Sequence, residues 1–304
     1  MNILKIKKLF LSINTLIMIT KKQFEKELDI IISNAVREDV GGGDYSSLAC
    51  IPKSTQGKAK LLVKEDGVIA GVDFAKKIFK YVDVNLKVET FINDGEVVSY
   101  GDIIFHVSGS SLSILKAERL VLNAMQRMSA IATKTKEFAI LLEGTKTKIL
   151  DTRKTTPGIR AIEKWAVKIG GGENHRFALY DMIMLKDNHI DFAGGVSKAI
   201  MQTKSYLKEK DLDLKIIVEA RSFEEIEEII QHKGIYRILI DNFNFDDTRK
   251  AVKMIGDFCQ TESSGGITIE TARKYADCGV DCISSGALTH SVYNLDLSLK
   301  AIEE

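Results

Sequence analysis

Five cations, Arg153, Lys154, His175, Arg176 and Lys186, and two acids, Glu219 and Asp241, lie at or just after short apolar runs in the second half of this chain. Guanidinium groups bind carboxylates through a two-point fork, and a small molecule with two carboxylates needs several convergent donors before it can leave water. Acids at the ends of neighbouring runs do the opposite job. Mg²⁺ takes one or two carboxylates together with phosphate oxygens and retains part of its water. The set therefore suits a strongly anionic substrate combined with a metal-bound pyrophosphate. Further along, Glu262-Ser263-Ser264-Gly265-Gly266 and Ser284-Ser285-Gly286-Ala287-Leu288-Thr289-His290 offer small residues whose backbone N–H groups can approach a phosphate.

These residues must be positioned by regular elements, and the pattern supplies them. Six apolar runs each end on a polar or charged residue: Lys148-Ile149-Leu150 before Asp151, Met182 to Leu185 before Lys186, Ile216-Ile217-Val218 before Glu219, Ile238-Leu239-Ile240 before Asp241, Phe258 to Thr261 before Glu262, and Val280 to Ile283 before Ser284. Helical spacing fills the intervals, so the second half reads as parallel strands with crossover helices, a (β/α) barrel whose chemistry sits at the carboxyl ends of its strands. Pro157 is placed to open one helix at its first turn; Ile159, Ile162, Trp165, Ala166 and Ile169 form its inner face and Gly170-Gly171-Gly172 ends it.

The first half differs. Phe24, Leu28, Ile31, Ile32, Ala35 and Val36 have helical spacing, stopped at Gly41-Gly42-Gly43, and short β-like runs follow between turn signals. A helix over 112–128 is expected to turn Leu115, Leu120, Leu122 and Met125 inward. The fold class is α/β: an N-terminal mixed α/β domain over 22–124, then the barrel over 125–290, with 291–304 expected as a helix packing back on the first domain.

At 304 residues, 45% apolar and 28% charged, the chain can bury a sizeable core. Lys and Arg number 43 against 42 Asp and Glu, so the net charge of +1 points to neither nucleic acid nor membrane as partner, and any polyanion recognition must be local. Four cysteines without C-x-x-C spacing indicate a reducing compartment and no structural zinc. Lys5, Lys7 and Lys8 precede an apolar stretch at 9–19, but Ser12, Asn14 and Thr15 break it and no small-x-small cleavage site follows. Residues 1–21 are accordingly read as a dispensable extension and the protein as cytoplasmic.

Eight segments in order resemble one known family: Glu38-Asp39-Val-Gly-Gly-Gly-Asp44, Glu118-Arg119-x-x-Leu-Asn123, Asp151-Thr-Arg-Lys-Thr-Thr-Pro-Gly158, Gly170-Gly-Gly-x-Asn-His-Arg176, Lys186-Asp-Asn-His189, Asp241-Asn242, Ser264-Gly-Gly266 and Gly286-Ala-Leu-Thr-His290. The chain resembles the quinolinate phosphoribosyltransferases, type II phosphoribosyltransferases that join quinolinate to 5-phosphoribosyl 1-diphosphate with loss of carbon dioxide. The resemblance implies an incomplete barrel of six or seven strands, Mg²⁺ as cofactor, and a homodimer whose active sites are completed by the partner. By matched position, Arg153, Arg176, His175, Lys154 and Lys186 would hold quinolinate and neighbouring phosphates, with Arg119 arriving from the other subunit. Glu219 and Asp241 would lie near ribose and metal, and Ser264, Gly265, Gly286 and His290 would take the 5′-phosphate. The chain departs from the family pattern at Ala130, Ile217 and Ala178.

Each assignment has a plainer rival. Arg153-Lys154 could be a solvated loop pair, Glu219 and Asp241 a structural ion network, and Gly265-Gly266 only a turn; His106 and His232 are read as structural. Lys186 at a strand end could instead form a Schiff base in an aldolase-like lyase. A non-catalytic metabolite-binding relative, or a paralogue with shifted substrate such as the molybdenum-associated homologues, is the remaining alternative.

Overall fold

A computed structural model describes residues 19–302; the expected extension over 1–21 lies outside the described residues up to residue 18. In chain order the first elements are α1 (Lys21–Val40), α2 (Tyr45–Cys50), β1 (Gln56–Val63), β2 (Gly67–Val68), α3 (Val72–Val82), β3 (Lys87–Thr90), β4 (Val97–Val98), β5 (Ile103–Ser110) and α4 (Ser111–Leu141). There follow β6 (Lys148–Leu150), α5 (Arg160–Ile169), β7 (Ile183–Leu185), α6 (Asp187–Ala193), α7 (Val196–Glu209), β8 (Ile216–Ala220), α8 (Phe223–Ile230), β9 (Arg237–Asp241) and α9 (Phe245–Ile255). The last are β10 (Gln260–Ser264), α10 (Ile269–Ala276), β11 (Cys282–Ser284), α11 (Ala287–His290) and β12 (Leu297–Ala301). Two compact units result: one gathers the described chain up to 136, residues 154–171 and the chain from 288; the other holds 137–153 and 172–287. No helix among the described residues is long and apolar enough to cross a membrane.

The first unit is built on an antiparallel sheet in the order β12-β1-β5-β3. Its edge strand corrects the expected C-terminal helix. Leu295, Leu297 and Leu299 are buried between exposed Asp296 and Lys300. That is the two-residue period of a strand, and β12 pairs with β1 from Ala59↔Ala301 to Val63↔Leu297. Helix α1 is opened by a capping box between Thr20 and Gln23 and ended at Gly41. Helix α4 runs unbroken through residue 125, so its backbone offers no division there. Its inner stripe is Ile114, Ala117, Val121, Met125 and Met128; Leu115, expected inside, is exposed because the apolar face is set one residue earlier. Helix α5 starts at Arg160, three residues beyond Pro157, and meets α1 through an edge-on contact of Trp165 with Phe24 at 5.5 Å.

Asp94 caps α3 from outside its own segment: Oδ1 accepts the Val72 N–H at 2.8 Å and Oδ2 the Asp73 N–H at 3.3 Å. Burial pushes its carboxyl up to about 6 in spite of the Val72 hydrogen bond, with the Asp73 charge adding to the rise. A carboxyl raised above its unfolded value contributes stability that is complete below about pH 4 and is lost as pH rises through 6. The stability difference between wild type and Asp94→Asn should therefore fall by about 2 kcal/mol from pH 4 to pH 7. Urea titrations at both pH values check this, and a pH-independent difference would refute it.

The second unit is a six-stranded parallel sheet in the order β6-β11-β10-β9-β8-β7. The consecutive strands β6 and β7 occupy opposite edges, the order of a barrel left open between its first two strands, with a lone bridge from Leu150 to Glu173 beside β6. Side chains alternate across this sheet. Ile216, Val218, Ala220, Ile238 and Ile240 pack outward with Ile226 and Ile229 of α8 and Ala251 and Ile255 of α9. Ile217 and Leu239 take the other face with Met182. The parity that buries Ile217 and Leu239 carries Glu219 and Asp241 on the same inner face, one step nearer the strand ends.

Candidate active site

Parallel pairing aligns the strand ends of the second unit. Ser264 is the register partner of Asp241, Glu219 pairs with Leu239, and Leu185 with Val218. Asp151, Lys186, Glu219, Asp241, Ser264 and Ser284 thus mark one rim, at or immediately after the carboxyl ends of six strands. At this rim the acids interact: burial first, then the charge of Asp241, raises the Glu219 carboxyl above its ordinary value, while Lys186 opposes the rise. Lys186 Nζ lies 3.8 Å from Glu219 Oε2, and Asp187 N–H donates to Oε1 at 3.3 Å. Glu219 is buried; Lys186 is exposed.

The cationic side is anchored by Asp151, which has no exposed surface. Its carboxylate accepts the side-chain amide of Asn174 and, at 2.9 Å, the backbone N–H of His175. The next residue, Arg176, is buried; burial and then the nearby Arg153 charge lower its pKa, with Asp181 opposing. Among the described residues its guanidinium meets one hydrogen-bond acceptor, the Met182 carbonyl at 3.3 Å. Five N–H donors on a buried guanidinium exceed that single acceptor, so the group is set up to receive an anion. Asp181 tightens the following loop by accepting the Phe177 and Ala178 N–H groups at 2.6 and 2.7 Å.

Gly265 is more than a turn. With φ +93 it lies in the left-handed region, and an added Cβ would sit 2.0 Å from Asn242 Oδ1. Asn242, itself at φ 58, donates its N–H to Ser264 O at 3.0 Å and its amide to Asp241 Oδ2 at 2.6 Å. The Ser264-Gly265 loop and the acidic strand end are one interlocked piece. Ile217, where the family pattern is acidic, is fully buried in the apolar layer below Glu219.

Three expected site residues, Arg119, Lys154 and His290, belong to the first unit. Arg119 is exposed on α4, and His290 Nδ1 lies 2.6 Å from Ser291 Oγ. Around Lys154 stands a network that sequence reasoning missed. Buried Glu163 accepts Arg127 Nε at 2.9 Å, Thr156 N–H at 2.9 Å and Thr156 Oγ1 at 2.8 Å. Arg127 also donates to the Thr289 carbonyl, and Thr289 Oγ1 to the Lys154 carbonyl at 2.8 Å. One ion pair thus holds the backbone that presents Lys154 and His290. Glu262, expected at a strand end, lies two residues inside β10 with no exposed surface. His106 and His232 have local partners in Glu89 and Ser197.

Fold and rim together are those of the (β/α) barrel class, with cationic residues and an acidic edge at its strand ends. Over residues 44–129 the chain matches the family description "Quinolinate phosphoribosyl transferase, N-terminal domain", and over 131–300 "Quinolinate phosphoribosyl transferase, C-terminal domain". It is 45% identical over 289 residues to "Quinolinate phosphoribosyltransferase [decarboxylating] 2, mitochondrial" of Nicotiana glauca, covering 90% of this chain and 82% of that one. "Nicotinate-nucleotide pyrophosphorylase [carboxylating], chloroplastic" of Arabidopsis thaliana gives the same identity and coverage. The crystal structure of NadC from Streptococcus pyogenes superposes with a TM-score of 0.84 at 36% identity, covering 94% of this chain and 99% of that one. The chain belongs to the quinolinate phosphoribosyltransferase family.

These relatives correct the cytoplasmic assignment, since two of them carry mitochondrial and chloroplastic names. The physical reason is that sparse, unpaired cysteines report a reducing environment, a property that does not single out one compartment.

Proposed function

We propose that the rim of the second unit carries out the reaction of its family: the pyridine nitrogen of quinolinate displaces pyrophosphate from C1 of 5-phosphoribosyl 1-diphosphate, and the 2-carboxylate then leaves as carbon dioxide while C2 takes up a proton from water, giving nicotinate mononucleotide for NAD biosynthesis. The observation that carries the residue assignments is the buried, donor-rich Arg176 beside Arg153 on the same unit as the coupled acids Glu219 and Asp241. Arg176 and Arg153 orient the two carboxylates of quinolinate, with His175 behind them. The nitrogen already has its lone pair, so no general base is needed. What requires stabilisation is the departing pyrophosphate and the positive charge developing on ribose, which is electrostatic work. Lys186 meets the phosphate charge, and Glu219 and Asp241 face the ribose. By their matched motif positions, Lys154 serves the pyrophosphate, and Ser264, Gly265, Gly286 and His290 the 5′-phosphate.

The donor set fits Mg²⁺. Among the described residues no group of three or more His, Cys, Asp or Glu could hold a metal, so a dedicated cage is absent, whereas two adjacent carboxylates suit an ion that takes its remaining ligands from phosphate and water. Glu219 and Asp241 would hold it, and when bound it would neutralise charge on the leaving pyrophosphate.

With quinolinate, 5-phosphoribosyl 1-diphosphate and Mg²⁺ all present, carbon dioxide release is expected, and nicotinate as acceptor should be at least about a hundredfold poorer because it leaves a buried guanidinium unpaired. Folded protein that releases no carbon dioxide, or that prefers nicotinate, would overturn the assignment. The family pattern also places Arg119 in the site of a partner copy. Mixed dimers of Arg119→Ala and Lys186→Ala subunits should then regain activity through one intact site; verified mixed dimers without activity would argue for self-contained sites.

A further inference from the structure

The inner face of the second unit holds a buried ionic string of which the reaction above uses only His175. Arg237 Nη1, at the start of β9, donates to Glu262 Oε2 at 2.8 Å. The same oxygen faces His175 Nε2 at 3.3 Å. All three side chains are buried, Glu262 completely. Arg237 is further held by Gln260 Oε1, which accepts Nε at 3.2 Å and Nη2 at 2.9 Å. On its other edge the His175 ring acts within its own segment: Nδ1 accepts the backbone N–H of Arg176 at 2.7 Å.

A neutral imidazole has one donor and one acceptor nitrogen, and which is which follows from their partners. An Nδ1 that accepts from Arg176 N–H must be bare, so the ring proton lies on Nε2, against Glu262. We propose that Glu262 is a positioning residue for the carboxylate pocket: it selects the Nε2–H tautomer of His175, which leaves Nδ1 free to tie down the Arg176 backbone and so aims the Arg176 guanidinium. With the opposite tautomer, Nδ1–H would confront Arg176 N–H, donor against donor, at the residue that carries the pocket. The Arg237 guanidinium, 2.8 Å from Glu262 Oε2, keeps the acid in its carboxylate form, an acceptor for the Nε2 proton. The arrangement parallels the carboxylate that fixes a ligating or catalytic histidine from behind, here applied to a backbone. Asp151 completes the clamp by accepting the His175 N–H and the Asn174 side-chain amide.

This inference rests on the assignment of Arg176 to a quinolinate carboxylate, and the test separates the two. In ¹⁵N-labelled full-length protein, His175 should show a protonated Nε2 and a bare Nδ1. In Glu262→Ala that preference should be lost, and KM for quinolinate should rise about tenfold or more with KM for 5-phosphoribosyl 1-diphosphate within twofold. Glu262→Gln, whose amide oxygen can accept from Nε2–H, should restore most of both. Should Glu262→Ala fail to fold, Arg237→Gln/Glu262→Gln removes the charge pair together and should keep the Nε2–H tautomer. An unchanged tautomer in folded Glu262→Ala, or an equal rise in both KM values, would overturn the proposal. If Arg176→Met leaves KM for quinolinate unchanged, the pocket assignment fails instead, and the tautomer readout still decides the role of Glu262.

Discussion

Arg176→Met should lower kcat/KM for quinolinate by about 10²–10³ while leaving Tm level or higher. The two halves of this result have one cause. The guanidinium is buried, stands near Arg153, and meets only the Met182 carbonyl at 3.3 Å among the described residues. In the free protein its charge is under-compensated, so an apolar side chain of similar volume relieves strain. A bound carboxylate supplies what is missing, so the same change removes a charge-assisted fork worth several kcal/mol. Steady-state kinetics and a melting curve on the same preparation check it. Near-normal turnover would take Arg176 out of the pocket, and a collapse in Tm would make it a structural residue.

Gly170→Ala should destabilise the first unit by about 3 kcal/mol and lower Tm by roughly 6 °C or more. Gly170 ends helix α5 where it meets α4, and its φ of −71 is ordinary, so conformational freedom is not why it is glycine. Close approach is. An added Cβ would lie 2.4 Å from the Ala132 carbonyl oxygen, 2.7 Å from Thr135 Cβ and 3.0 Å from Ala132 Cα. Ala132 contributes backbone within a helix and cannot swing aside as a long side chain could, so the two helices must separate. Differential scanning calorimetry gives the answer, and an unchanged Tm would show that the contact yields without strain.

The parallel sheet and most of its rim were legible because a polar residue directly after a run of Val, Ile and Leu is a conspicuous signal. Asp151, Lys186 and Asp241 occupy the places their runs implied, and Glu219 lies one residue inside the end of β8. Glu262 misled for the same reason: Phe258 to Thr261 looks like the strand, whereas β10 continues to Ser264 and leaves the acid inside. A charge is tolerated there only because Arg237 and His175 meet it, 25 residues away in one case, and such pairing has no local pattern. Arg127 and Glu163 were invisible likewise, as two ordinary helical charges 36 positions apart. The C-terminal segment failed on period, since five residues of alternation in β12 are too few to compete with a helical expectation.

The pairing of β12 with β1 also bears on how the protein comes into being. Residues 297–301 complete a sheet whose other strands lie between 56 and 110, so during synthesis the nascent chain carries an unfinished edge along β1 until residues 297–301 have emerged. An open strand edge invites pairing with other chains, and contacts this far apart in sequence form late. Synthesis must therefore pass residue 301 before the first unit can lock, and until then the open edge of β1 is exposed to mispairing.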